Sequence, residues 1–213
     1  MNNKIILSTA YFGNIQYYSK LVNYNNIEIE VHENFTKQSY RNRTEILGAN
    51  GKLALTIPVK KGRSIKIPIN ELELDYSENW MNTHWRSIES AYRHSAFYEY
   101  YVDYIEPIFD DRPQFLLEFN NTIQSTILDI LEIDNEIKET TEFVKVPDGI
   151  DFRDAIHPKA RMQKEDVNFI APEYFQVFAN KFGFTPNLSI LDLLFNCGPS
   201  TTEILMGTFK SFE

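Results

Sequence analysis

Residues 39–59 read SYRNRTEILGANGKLALTIPV, and this stretch decides the fold class. Two arms, Ser39–Leu47 and Lys52–Val59, are joined around Ala49-Asn50-Gly51. Asn-Gly supplies the positive φ angles that a tight hairpin turn requires. Successive side chains of a strand point to opposite sides. Tyr40, Asn42 and Thr44 are therefore expected on one side, and Ser39, Arg41, Arg43 and Glu45 on the other.

Upstream, Lys4–Ser8 reads as a short buried strand. Ile15–Tyr24 fits a short helix with Asn14 as its N-cap. Ile27–Val31 alternates apolar and acidic residues, the pattern of a strand with one wet face. Downstream, Ile65–Ile69 and Glu71–Tyr76 read as further strands, and Trp80–Arg93 as a helix with Trp80, His84, Ile88 and Ala91 or Tyr92 on its inward stripe. Helical character continues over Phe97–Phe109 and Phe115–Leu131. Glu132–Glu142 reads as a surface connector, Phe143–Val146 as a strand, and 147–172 as loop. Helices over Tyr174–Phe182 and Ser189–Asn196 end at Gly183 and Gly198-Pro199. Strands early and helices late predict an α+β fold in a single domain spanning residues 1–213.

The chain carries a formal net charge of −9, which argues against an extended basic face for nucleic acid or anionic membrane. Its one cysteine, Cys197, permits no intramolecular disulfide and fits a reducing compartment. Neither a signal peptide nor a run of eighteen apolar residues is present, so the expected location is the cytoplasm with no membrane span. No phosphate-loop, Gly-x-Gly-x-x-Gly, Gly-x-Ser-x-Gly or His-Glu-x-x-His pattern occurs, and no spacing supports a metal site. The cofactor is unspecified.

Within that acidic chain, His32, Glu33, Lys37, Gln38, Tyr40, Arg41 and Arg43 crowd together, with Lys60, Lys61 and Arg63 beyond the second arm. Arginine forks suit carboxylate or phosphate, so an anion clamp stands against a solvated strand face with surface ion pairs. His84 and His32 are candidate general bases; for each, the competing expectation is a structural histidine satisfied by one hydrogen bond. Tyr11, Gln16 and Arg86 complete the candidate binding set. Cys197 follows an apolar helix with no nearby histidine and reads as an inert thiol.

Several motifs resemble the WbqC-like family: Ala10-Tyr11-Phe12-Gly13-Asn14-Ile15-Gln16-Tyr17-Tyr18, His32 through Arg43, Leu55 through Lys60, and Trp80-x-x-x-His84-Trp85-Arg86-Ser87-Ile88. Ala91-Tyr92, Phe97 through Tyr101, Phe182-Gly183-Phe184 and Leu188 through Asn196 extend the likeness over nearly the whole chain. Two positions depart from it: Cys197 stands where the family usually has Glu, and Thr9-Ala10 where it often has Pro. The resemblance implies an association with surface-polysaccharide clusters, O-antigen assembly included. On that basis the expected activity is group transfer, acyl or aminoacyl, from an anionic or nucleotide-linked donor. Lys37, Arg41, Arg43 and Lys60 would hold the donor, and Tyr11 and Gln16 would contact the acceptor. The alternative is a non-catalytic scaffold of the glycan-assembly machinery.

Overall fold

The computed structural model describes residues 3–60 and 66–209. Lys61 and Arg63 lie outside the described residues. The architecture starts from β1 (Lys4–Ser8), α1 (Ile15–Asn23) and β2 (Asn26–Glu30), with β1 and β2 parallel and in register from Lys4↔Asn26 to Ser8↔Glu30. The asparagine predicted to start the helix does so: Asn14 Oδ1 accepts the Tyr17 backbone N–H at 2.9 Å.

The hairpin is shorter than its sequence pattern. It pairs β3 (Arg43–Gly48) with β4 (Gly51–Thr56), and Gly51 carries the positive φ of 104°. Residues 39–42 turn instead of extending, so Arg41 precedes the ladder and does not alternate with Arg43. The stretch read as strands after residue 65 contains a 3-10 turn, Ile69–Glu71, and isolated bridges at Leu74 and Glu73. Then come α2 (Trp80–Tyr92), α3 (Tyr98–Ile105) and α4 (Leu116–Ile130), matching the periodicity. Trp80, His84, Ile88, Ala91 and Tyr92 are all buried, as their stripe predicts.

The two remaining strands fall where loops were expected. β5 (Ile137–Glu139) pairs in parallel with β2, and β6 (Ile150–Asp151) in parallel with β1, giving the order β5-β2-β1-β6. Residues 143–146 do not form the predicted strand; they belong to the connector between β5 and β6. Tyr174–Phe182 is helical only over α5 (Ala179–Phe182). The cause is tertiary: the buried Gln176 side chain bonds the Tyr174 hydroxyl, Thr185 backbone and Asp192, and these bonds compete with a helical turn. The chain closes with α6 (Ile190–Cys197), capped by Ser189, and α7 (Thr201–Gly207), which periodicity did not predict.

Most strands of the described residues thus lie early in the chain, β1 to β4 all before residue 57, and helices fill most of the rest, an α+β domain around one core. One face of the parallel sheet, with Ile5, Leu7, Ile27 and Ile29, is buried in that core, and α1 packs onto α6 and α7. The other face carries Lys4, Ser8, Glu28, Glu30 and Asp151 among its side chains, alternate positions in the pleat. Parallel sheets normally hide both faces. Here an irregular connector crosses between β5 and β6, and its Val144 is tied down by Glu30 and Arg153. No helix among the described residues is long and apolar enough to cross a membrane.

Candidate functional site at the carboxyl edge of the sheet

Ligands of parallel sheets gather beyond the carboxyl ends of the strands. Phe152 N–H donates to Ile6 O and Thr140 N–H to Ile29 O, each at 3.0 Å, so both ladders run past the strand ends. Continuing the register sets Thr140, Glu30, Ser8 and Arg153 abreast.

Polar side chains converge on that row. Glu30 is fully buried, and its carboxylate accepts His32 N–H at 2.8 Å, the Thr140 hydroxyl at 3.0 Å and Val144 N–H at 2.8 Å. Arg153 reaches Glu30 at 3.5 Å and grips Asp151 through Nε and Nη2, at 2.9 and 2.7 Å. The Asp151 bonds hold the Arg153 guanidinium above its usual value. Burial opposes ionisation of Asp151, but the Arg153 bonds outweigh it and leave that carboxyl below its usual range. Arg41 donates from Nε and Nη2 to Glu33, at 2.7 and 2.5 Å, and from Nη2 to the Ser8 hydroxyl at 2.8 Å. Its Nη1 edge has no protein acceptor among the hydrogen bonds of the described residues. Arg41, Arg153, Ser8 and Tyr40 line one crevice of about 10 Å³, room for about one water.

The segment after β6 adds to the basic character. His157 is buried, and burial and then the Arg41 charge hold its pKa below the usual histidine value. Lys159 donates to the side chain of Gln38, a residue in left-handed backbone (φ 59°) beside exposed Lys37.

The sequence candidates are therefore distributed. Arg41 and His32 reach this edge, and Lys37 borders it next to Gln38. His32 Nε2 bonds Thr140 O at 3.0 Å, which fixes that nitrogen as the protonated one and leaves Nδ1 to Asn70 at 3.4 Å. Arg43 pairs with Glu45, which also takes Lys52; Lys60 pairs with Glu73 at the surface. Arg86 is exposed on α2, lining a groove of about 570 Å³ between that helix and the hairpin tip with Lys52 and Ser87. His84 is in the core. Its Nδ1 meets the buried Tyr11 hydroxyl at 2.9 Å, Trp80 packs edge-on, and burial lowers its pKa to about 4. Tyr11 itself is sealed, with its pKa raised by burial. Gln16 bonds Asp166 and Asn187. Cys197 is half-buried, and burial pushes its thiol up to about 11.

Sequence reasoning missed Arg153, Asp151, Glu30 and Ser8. The available signal was the Asp151-x-Arg153 spacing, which puts both side chains on one side of an extended segment. Among the described residues no group of three or more His, Cys, Asp or Glu is placed to hold a metal ion.

Comparison with known proteins agrees with the sequence motifs. A protein of Mycobacterium tuberculosis named "Uncharacterized protein Rv1507c" is 24% identical over 219 residues, covering 92% of this chain and 91% of its own. No solved structure matches. The pattern of the WbqC-like protein family matches residues 9–163 and 156–204, and the chain belongs to that family.

Proposed function

We propose that this protein is a group-transfer enzyme of surface-polysaccharide biosynthesis, of the O-antigen type, acting with an anionic or nucleotide-linked donor. The observation that carries the reading is Arg41: a buried guanidinium beyond the carboxyl end of β1, held side-on by Glu33 with its Nη1 edge left over. Arginine fixed in this way is preorganised for a phosphate or carboxylate. Lys37 and Lys159 border the same edge and would draw the donor in; Arg153 holds the floor. His32, whose Nδ1 lone pair meets only a long 3.4 Å contact from Asn70 Nδ2, is the histidine of this edge suited to accept a proton.

The crevice at Arg41 is water-sized, so the donor's anionic group would seat at its mouth, against Nη1 and the lysines. The test is a thermal-shift screen of nucleotide sugars, acyl-coenzyme A species and inorganic phosphate. Ligand that binds the native state raises Tm by mass action. A Tm rise is expected with one of these classes, reduced in the surface variant Lys37→Ala/Lys159→Ala and abolished in Arg41→Ala. A rise unchanged in both variants overturns the assignment. Because Arg41→Ala strands Glu33, the surface variant keeps the test decisive if that protein does not fold.

A second reading, a scaffold of the same machinery, has one observation in its favour. Tyr100 and Tyr104, 71% and 59% exposed, flank a groove with Asp103 and Asp129 between α3 and α4. If a partner uses this surface, Tyr100→Ala/Tyr104→Ala abolishes partner binding and leaves the ligand-induced Tm shift unchanged.

A further inference from the structure

An open groove of about 470 Å³ lies on the other side of the turn 152–156 from Arg41, lined by Gln16 of α1 together with residues of 155–171 and 186–187. Gln16 and Asn187 are locked together: Asn187 Oδ1 accepts Gln16 N–H at 2.9 Å, and Asn187 Nδ2 donates to Gln16 Oε1 at 3.2 Å. Gln16 Nε2 donates to Asp166 Oδ2 at 2.8 Å, and Lys20 Nζ meets the same oxygen at 2.7 Å. Lys20 is wholly buried, its ammonium 4.5 Å from the centre of the Phe152 ring. That lysine keeps the Asp166 carboxylate anchored and charge-balanced beneath the groove. Phe169 also lines the groove, with the Lys20 ammonium 5.8 Å from the centre of its ring.

The hydrogen-bonding capacity left over at these residues suits a hydroxylated ligand. Each amide has a second N–H, and both contacts to Asp166 fall on Oδ2, so Oδ1 is engaged by neither. Two donors and a carboxylate acceptor match adjacent hydroxyls, each of which both donates and accepts. An aromatic face beside them suits the C–H face of a sugar ring. Lys20 balances Asp166 below, and at the rim Lys164 is paired with Asp154 while Glu165 adds a negative charge, so the site disfavours an anionic ligand.

We infer that this groove binds a neutral hexose or N-acetylhexosamine ring, held by Gln16, Asn187 and Asp166 and stacked on Phe169. No residue lines both this site and the Arg41 crevice, so the inference stands on its own geometry and does not depend on the group-transfer reading. The experiment is saturation-transfer NMR with methyl β-glucopyranoside, methyl β-galactopyranoside and N-acetylglucosamine, with glucose 1-phosphate as the charged control. Transfer to ring protons of at least one neutral sugar is expected. It falls tenfold or more in Phe169→Leu and in Asn187→Gly, a substitution suited to the left-handed backbone there (φ 56°). Transfer persists in Lys37→Ala/Lys159→Ala, so failure of the donor site and of this site are read separately. Absence of transfer from every neutral sugar, transfer from glucose 1-phosphate alone, or transfer indifferent to both variants overturns the inference. Circular dichroism confirms that each variant is folded before it is scored.

Discussion

Asp192 on α6 accepts the Tyr174 hydroxyl at 2.6 Å and Gln176 Nε2 at 2.9 Å, and burial raises its pKa to about 6. An unfolded aspartate titrates near roughly 3.9. The folded state therefore holds an extra proton between those values. Its contribution is complete below about pH 4 and is lost as pH rises through 6, roughly 3 kcal/mol at most. His84 has the opposite sign. Its folded pKa of about 4 lies below the unfolded ~6.5, so its contribution is present above pH 6.5 and is lost as pH falls toward 4, again roughly 3 kcal/mol. Urea unfolding at pH 4.5, 5.5 and 7 separates them. Asp192→Asn gains stability relative to wild type as pH rises, and His84→Gln gains as pH falls. If either variant tracks wild type at all three values, that titration is not coupled to folding. The inward position of His84 was legible from its stripe beside Trp80 and Ile88. The role of Asp192 was not, because its partners come from a segment whose local pattern reads as helix.

At the scale of elements, helices α2 and α4 followed directly from periodicity, whereas β5 and β6 did not. A strand of two or three residues carries too few alternations to register, and its pairing partner is over a hundred positions away. The candidate site shares that fate: Arg41 was visible in a local basic run, but Arg153 and Asp151 join it only once β6 has docked on β1. Glu30 ties the end of β2 to three other segments, so Glu30→Ala leaves Arg153, His32 N–H and Val144 N–H short of their partner. A loss of about 3–5 kcal/mol is expected, read as a lowered urea midpoint. Gly198, which ends α6, has φ 55°, and a Cβ there runs into the Phe97 ring. Gly198→Ala is expected to cost about 2 kcal/mol or more by the same measurement, from backbone strain and overpacking together. A variant as stable as wild type would show that Phe97 yields freely.

For the molecule as a whole, net charge and the missing signature motifs were readable from composition and pattern, and they restrict any basic function to a local site. The two-sidedness of the sheet was not readable, since it depends on which strands are neighbours. The strand order β5-β2-β1-β6 also has a temporal meaning. The pair at the centre comes from the first 30 residues, while both flanking strands come from residues 137–151. During synthesis the central pair must wait on the order of ten seconds for its borders to leave the ribosome. Through that interval both of its sides present unpaired amides and carbonyls, ready to template foreign strands. The native flanks are only three and two residues long, enough to blunt those sides once they arrive. The nascent chain, more than the finished protein, is therefore the stage at which holdase chaperones have a surface to protect.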